Sequence, residues 1–446
     1  MDYVVTSRGV FDISRKMQVE RLQREIERLR TSPSLRLGIH LTAAIKKPWR
    51  APFLIITLPI HMLLIGFELL GLRSQPQLLS TNSYGRLTNK GDCVVMFPTN
   101  GVGFGHFTRL LAIAKQMKNL NPNLEIIFFT TMPTLHILKR YGIPAHHISG
   151  PKYYKGMSTE DWNALLQEEL SLCFETHKPS MFIFDGAFPY RGMLRAIQGR
   201  QNMNKLWLRR GTFRRGASIP VDSIQHFDSI IKPMDSIVED LEQTEHNLEV
   251  ITSEPIVLVD EDELLAKNNV RANLQLPLEA TVVYVQLGAG EINDINSEIR
   301  MTVENLISRE NLFVVIGESM LGKRLNINLP NVKIIRDYPN SIYFDGFDAA
   351  ISAGGYNSYH ELRNSGLPTL FFPNLNTGMD DQMARCAVSE EEGWGLILKD
   401  RNQKSINKSI DKLMSKISQK RITIEKSRGA QNLAIILNSR IGEQNL

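Results

Sequence analysis

The segment Gly101-Val102-Gly103-Phe104-Gly105-His106 closes on a histidine, and Arg109 follows within one helical turn. Glycines let a backbone approach a ligand closely. A helix opening directly after them offers unbonded N–H groups and a positive partial charge to an anion. A histidine there, with an ordinary pKa near neutrality, suits proton abstraction. The bland reading is a helix-start residue whose ring caps backbone groups. Arg109 reads equally well as a solvated helix charge or as a partner for an anion. The spacing is GxGxG, not the dinucleotide fingerprint, and Phe129-Thr130-Thr131 stand where an acidic ribose ligand would end the second strand. Nicotinamide binding is therefore not indicated.

A second constellation lies between Asp348 and Gln382. Ser352 ends a strand, Gly354 and Gly355 form a turn, and Asn357, Ser358 and Glu361 lie at the start of a helix. This is another anion cradle at a helix N-terminus. Glu361 can accept hydrogen bonds from the vicinal hydroxyls of a ribose; its bland role is to compensate the helix dipole. Asp380, Asp381 and Gln382 follow the next strand and can reach the same cleft. Asp185 ends a strand in the first half, where it would orient His106 or touch an acceptor. Arg209 and Arg210 end the next strand and would meet a phosphate or solvent. Asp260-Glu261-Asp262 reads as solvated charge in a linker, and the doublet His146-His147 as a strand end lacking further ligands at metal spacing.

The elements that must hold these residues are short apolar strands alternating with amphipathic helices. Asp92–Phe97, Leu124–Thr130, Met181–Asp185, Lys205–Arg209 and Ser229–Lys232 are strands in the first half. Thr281–Leu287, Leu312–Ile316, Val332–Ile335, Asp348–Ser352, Thr369–Phe372 and Gly395–Leu398 repeat the pattern in the second. Continuous apolar strands between helices specify parallel sheets covered on both faces. The expected architecture is α/β: two Rossmann-like domains facing a cleft, at residues 91–255 and 256–420. A helical extension and linker (1–90) precedes them, and a C-terminal helix (421–446) that crosses back follows. Ligands of such sheets bind at the carboxyl ends of the strands.

The chain of 446 residues is 42% hydrophobic and 22% charged, which excludes a disordered or polytopic membrane protein. Its three cysteines form no pair motif, as suits a reducing compartment. Net charge is +5, but residues 14–50 alone carry +7, so the body is slightly acidic and nucleic acid is not an expected partner. Val19, Leu22, Ile26 and Leu29 give Ser14–Arg30 a short coiled-coil seam that either forms a homodimer or packs on its own chain. Lys46, Lys47, Trp49 and Arg50 introduce the apolar run Ala51–Leu72, in which Thr57, His61 and Glu68 share one helical face. A narrow polar stripe with basic and Trp residues at its entry describes a helix lying in a membrane interface. A full span and a buried core helix are the alternatives.

With these residues in view, roughly Asp92 to Leu398 resembles the GT-B glycosyltransferases. The likeness is to the branch, with a family-28-like C-terminal domain, that includes the peptidoglycan lipid-intermediate N-acetylglucosaminyltransferase and the galactolipid synthases. The resemblance rests on Ser352, Gly354, Gly355, Ser358, Glu361, Gly366, Pro368, Pro373, Asp381 and Gln382. It implies an inverting transfer from a UDP-sugar, the co-substrate, with no obligatory cofactor or metal, onto a lipid-linked acceptor. The enzyme would be cytoplasmic, peripheral on the inner face of the cell membrane. The donor would meet Gly354, Gly355 and Ser358 at its diphosphate and Glu361 at its ribose. Gln382 would reach its sugar, Gly288-Ala289-Gly290 its diphosphate, and the backbone at Tyr338 and Pro339 its base. Ser352, Asn357 and Asp381 complete the expected donor set. His106 matches the family's Gly-His and is the expected base, beside Asp185; Gly103, Phe104, Gly105, Arg109, Arg209 and Arg210 would contact acceptor or phosphate. Phe104 departs from the family pattern, in which a glycine often stands before the Gly-His. A UDP-sugar epimerase of the same fold and an inactive partner subunit remain alternatives.

Overall fold

A computed structural model describes residues 32–46, 48–70, 72, 93–99, 103–133, 135–210, 221–237, 248–288, 295–320, 322, 324–376, 380–419 and 421–443. The Ser14–Arg30 seam, the linker near residues 75–90, and Ala289 and Gly290 lie outside the described residues. The first described elements are helix α1 (Pro33–Lys46), a 3-10 turn over Pro48–Phe53, and helix α2 (Leu54–Leu69).

The first domain runs β1 (Cys93–Pro98), α3 (Gly105–Leu120), β2 (Glu125–Thr130), α4 (Leu135–Arg140), β3 (Ala145–His147), α5 (Thr159–His177) and β4 (Met181–Asp185). It continues through α6 (Arg191–Ile197), β5 (Asn204–Leu208), α7 (Val221–Ile224), β6 (Ser229–Pro233) and β7 (Glu249–Ser253). All neighbouring strands are parallel, in the order β3-β2-β1-β4-β5-β6-β7. Every residue of β1 and β4 is buried, because helices cover both faces.

The second domain runs α8 (Lys267–Asn273), β8 (Thr281–Gln286), α9 (Ile295–Ile307), β9 (Leu312–Gly317), β10 (Val332–Ile335), β11 (Ala349–Ser352) and α10 (Tyr356–Ser365). Then come β12 (Thr369–Phe371), α11 (Gln382–Glu391), β13 (Gly395–Ile397), α12 (Gln403–Ile417) and α13 (Gly429–Glu443). Its parallel sheet has the order β10-β9-β8-β11-β12-β13. Both sheets reverse direction of winding beside their first strand, β1/β4 and β8/β11, and these switch points are where a doubly wound fold leaves its crevice. The last helix, α13, buries Leu433, Ala434 and Leu437 against Leu110, Ile113 and Met117 of α3, so the chain ends on its first domain.

Three sequence readings change. The strand β7 falls where no strand is expected, because Glu249-Val-Ile-Thr-Ser is too polar to stand out; an edge strand covered on one side needs only Ile251 and Ser253 buried. The acidic run is not free solvated charge. Lys115 of α3 donates to Asp260 and Glu263 at 2.8 and 2.5 Å, and Gln116 and Gln431 both donate to Asp260. It therefore ties the interdomain segment to α3 and α13. The run Ala51–Leu72 begins as a 3-10 turn, and its helix is no core helix: Ile55 is 82% exposed and only Ile65 and Glu68 are buried.

The polar stripe of α2 faces α1. Arg36 Nη1 donates to Glu68 Oε2 at 2.6 Å, His40 Nε2 lies 3.0 Å from Thr57 Oγ1, and the rings of His40 and His61 stack at 4.9 Å. These partners run antiparallel, making a helical hairpin whose polar groups satisfy one another. Its outer side carries Ile56, Ile60, Leu63, Phe67 and Leu70, all exposed and spaced alternately by four and three residues.

Candidate active site

The register of β1 against β4 pairs Pro98 with Asp185. Asp185 therefore ends its strand beside the glycine loop that leads from β1 into α3. His106, in the first turn of α3, places Nδ1 2.6 Å from Asp185 Oδ1. Arg109 donates through Nε to Oδ2 at 3.0 Å and through Nη2 to Oδ1 at 2.7 Å. Asp185 is fully buried, and despite the desolvation that would raise it, Arg109 and then His106 hold its carboxyl below the ordinary range. An ionised carboxylate only accepts, so His106 Nδ1 must carry the proton and Nε2 is the basic nitrogen. Arg109 Nη2 also lies 2.9 Å from His106 Nδ1, but a guanidinium cannot accept, so that approach is not a hydrogen bond in this tautomer. Burial lowers the His106 pKa more than Asp185 raises it, leaving a neutral imidazole. Arg109 is thus neither solvated nor available as a simple anion partner: it is a buried clamp on Asp185.

Across the crevice, α10 starts at Tyr356 with Gly355 before it and no side chain capping its first amides. A Cβ on Gly355 would meet nothing within 4 Å, whereas one on Gly354 would stand 2.5 Å from Cys386 Sγ. The turn is therefore packed behind and open in front. Helix α3 likewise starts without a side-chain cap after Phe104. The two helix starts touch: Asn357 Nδ2 donates to the carbonyl of Gly105 at 3.2 Å. Two uncapped N-termini from different domains converge here, an arrangement suited to a multiply charged anion. Ser358 lies in the same first turn, half-buried. Gly288, at φ +102°, turns the chain after β8 in a conformation reserved for glycine.

Glu361 follows on α10. Burial pushes its pKa up to about 7, partly opposed by the Ser341 hydroxyl. Tyr338 stacks on Phe104 at 5.0 Å and donates to Thr108 Oγ1 at 2.8 Å, so the residue that departs from the family pattern bridges the two domains.

Sequence reasoning missed the charges that lock the cleft. Arg385 of α11, fully buried, donates to both oxygens of Asp235 in the loop after β6, through Nε at 2.9 and 3.0 Å and Nη2 at 2.6 Å. It also donates to Asp380 Oδ1 and to the Gly354 carbonyl, both at 2.7 Å. Arg385 therefore fixes the glycine turn. His360 Nε2 lies 3.2 Å from Asp235, and the carboxyl is held far below its ordinary pKa by His360 and Arg385 although burial opposes it. Tyr356 sits among three guanidiniums, those of Arg210, Arg109 and Arg385, at 5.1, 5.6 and 5.7 Å from its ring centre. No motif spacing joins Asp235 to Arg385; only the α11 register, three residues after Gln382, hinted at the arginine.

Other expected residues are engaged within the protein. Arg210 pairs with Asp380 at 3.2 Å, and Arg209 is buried over the Trp207 ring. Ser352 donates to the Ala353 carbonyl. Asp381 is the N-cap of α11, accepting from the Ala384 amide at 3.0 Å. Gln382 accepts from the Asn374 amide at 2.9 Å and donates to Asp380 at 3.3 Å, so both ends of its amide brace the loop before α11. A Cβ on Gly103 would meet nothing within 4 Å, whereas one on Gly105 would touch Arg109 Nη1 at 3.6 Å. The doublet His146-His147 does close strand β3, but His146 does not lack neighbours with ligand atoms: Cys173 and His177 of α5 reach it.

No protein-family model matches the chain. It is 24% identical over 352 residues, 72% of its length and 81% of the relative's, to the UDP-N-acetylglucosamine–N-acetylmuramyl-(pentapeptide) pyrophosphoryl-undecaprenol N-acetylglucosamine transferase of Clostridioides difficile. A shorter likeness, 30% over 127 residues, covers 28% of this chain and 32% of an uncharacterized glycosyltransferase of Methanosarcina acetivorans. Among solved structures, Acinetobacter baumannii MurG matches with a TM-score of 0.50 at 14% identity, covering 78% of this chain and 99% of its own. The UDP-GlcNAc 2-epimerase of Neisseria meningitidis matches with a TM-score of 0.56 at 13% identity, covering 79% and 100%. The structural likenesses establish the GT-B fold, which transferases and epimerases share. The sequence similarity is to transferases, and together they support a family-28-like GT-B glycosyltransferase.

Proposed function

We propose that this protein is an inverting glycosyltransferase that moves a sugar from a UDP-sugar to a hydroxyl of a lipid-linked acceptor at the cytoplasmic face of a membrane. The observation that carries the reading is the contact between the two uncapped helix starts, with His106–Asp185 on one side and Glu361 on the other. UDP-sugar use is supported by the sequence relative, whose name gives UDP-N-acetylglucosamine as donor and N-acetylmuramyl-(pentapeptide) pyrophosphoryl-undecaprenol as acceptor.

His106 Nε2 would take the proton of the acceptor hydroxyl as its oxygen attacks the anomeric carbon and the bond from that carbon to the diphosphate oxygen breaks. The imidazolium formed is stabilised by Asp185, itself held by Arg109. The leaving diphosphate gains negative charge, and the N-terminus of α10 faces it with Gly355, Asn357 and Ser358. Glu361 would accept hydrogen bonds from the ribose. The guanidiniums around Tyr356 are neutralised by Asp185, Asp380 and Asp235, so the two uncapped helix starts are the groups that would meet the diphosphate charge. The helical hairpin supplies the membrane surface: its outer stripe is apolar, Lys46 is exposed at the turn, and Trp49 and Phe53 extend the apolar side.

The deciding experiment measures UDP and UDP-N-acetylglucosamine binding by calorimetry, then transfer from radiolabelled donor to membrane-lipid extracts. Binding with labelled lipid product supports the proposal. Binding with epimerised sugar and no lipid product points to the epimerase reading, and no binding overturns both.

A further inference from the structure

At the β3 edge of the first sheet, two strands away from the strand that leads to His106, three potential metal ligands converge. His146 Nε2 lies 2.8 Å from His177 Nε2, and the ligand atoms of His146, Cys173 and His177 all lie within 4.8 Å of one another. Cys173 and His177 are four residues apart on α5, so they rise from one face in successive turns. His146 comes from the edge strand β3. Cys173 and His177 are buried and His146 is half-buried, which leaves one side for an ion and a water to enter. The far nitrogen of His177, Nδ1, has Glu125 Oε1 at 3.9 Å. A carboxylate hydrogen-bonded to the far nitrogen is the usual outer partner of a metal-bound imidazole; Glu125 stands in ion-pair range and would have to close by about 1 Å to take that role.

We propose that His146, Cys173 and His177 form a binding site for a zinc-class divalent ion, with water as the fourth ligand. Two imidazoles and one thiolate match the ligand preference of zinc, at roughly 2.0–2.1 Å for nitrogen and 2.3 Å for sulfur. Around a tetrahedral ion, ligand atoms then stand roughly 3.3–3.6 Å apart. The two histidine nitrogens need only separate by about half an ångström from their present spacing, while Cys173 closes in. Without an ion, one imidazole must donate to the other. With one, all three side chains act together: the ion pins the short strand β3 to the C-terminal turn of α5. The site takes no part in transfer. Magnesium, which prefers oxygen ligands, is not its ion.

The test uses the full-length, tag-free protein, purified without chelator. Elemental analysis should find about one zinc per chain, a stoichiometry that follows from one three-residue site. Cobalt replacing it should give the near-ultraviolet charge-transfer absorption of a thiolate-bound ion. The conservative Cys173→Ser variant should lose that absorption and most of the zinc while still binding UDP. Zinc should raise the Tm of wild type after chelation and leave Cys173→Ser unmoved. If the wild type holds no zinc, gives no cobalt–thiolate band and shows no Tm response, the cluster is a plain His–His hydrogen bond and the proposal fails. Zinc retained in both Cys173→Ser and His177→Gln would place the ion elsewhere and overturn it equally.

Discussion

The side chain of Asn357 donates to the backbone carbonyl of Gly105 at 3.2 Å, joining the first turn of α10 to the first residue of α3. Each of those helices starts without a side-chain cap. The contact sets one domain's anion cradle directly against the residue before His106. It explains why chemistry split over two glycine turns, some 250 positions apart, forms one site. Replacing Asn357 with Ala should leave the fold intact, since its Nδ2 bonds a single half-buried carbonyl, yet loosen the relative placement of base and donor. We expect a fall in kcat with a smaller change in UDP affinity, read by steady-state kinetics beside calorimetry.

Removing His106 as His106→Ala should lower kcat by about 10²–10⁴-fold, the usual contribution of a general base, with the KM for the UDP-sugar little changed. Asp185→Asn should cost a similar factor by a different route. It removes the acceptor that fixes Nδ1–H and strips the buried Arg109 of its counter-charge, so its Tm should fall as well. A variant at either position with full kcat would sink the assignment of His106 as base.

The pH dependence of UDP binding should report Glu361. Burial raises its pKa to about 7, so near neutrality the free protein is partly protonated there. Ribose hydroxyls donate to the ionised carboxylate, so binding favours the charged form and releases a proton. Affinity should therefore rise as pH increases from 6 towards 8 and level off above. Calorimetry in buffers of different ionisation enthalpy should show proton release below pH 7. Glu361→Gln should flatten the profile and bind UDP more weakly; a wild-type profile that falls as pH rises would contradict the reading.

Much of the fold was legible because its strands are covered on both faces. Val94–Phe97 and Phe182–Phe184 are unbroken apolar runs that no surface element would carry. Glu361 and His106 were legible because a strand, a glycine turn and a helix start impose a recognisable local order. The Asp235–Arg385 pair was not, since its partners belong to different domains and only tertiary packing joins them. Gln382 is ambiguous for a related reason: a side chain next to a helix start can serve a ligand or brace a loop, and in this structure its amide bonds to Asn374 and Asp380. The cluster of His146 with Cys173 and His177 was hidden by separation, although the Cys-x-x-x-His spacing on a helix was a signal available to be read.

Breaking that interdomain pair should destabilise the closed arrangement. Asp235→Ala leaves the fully buried guanidinium of Arg385 with the Gly354 carbonyl and one counter-charge, Asp380, and truncating one member of a buried pair typically costs about 3–5 kcal/mol. Calorimetric or denaturant unfolding should show the loss, and the double variant Asp235→Leu with Arg385→Met should recover part of it. The Asp235 carboxyl is depressed in the folded state, so its stabilisation is complete above its unfolded pKa of about 3.9 and disappears only as pH falls below that. The pair thus makes no contribution to any stability change between pH 6 and 8.

The hairpin makes the last prediction separable from all of these. Its polar groups are used internally, Arg36 on Glu68 and His40 on Thr57, so substitutions on the outer stripe disturb neither of these pairs. Ile56→Asp with Leu63→Asp places two charges where the wild type exposes apolar surface. If that surface lies in a membrane interface, the double variant should lose sedimentation with vesicles containing anionic phospholipid. UDP binding and Tm should stay unchanged, because every residue assigned to the proposed donor site belongs to the two sheet domains. Wild-type binding should weaken on neutral vesicles and at high salt, where the basic entry around Lys46 no longer contributes. Transfer to a lipid-embedded acceptor should fall with vesicle binding, while transfer to a detergent-dispersed acceptor should not. Equal sedimentation of wild type and double variant would remove the membrane from the proposed function and leave the donor chemistry standing.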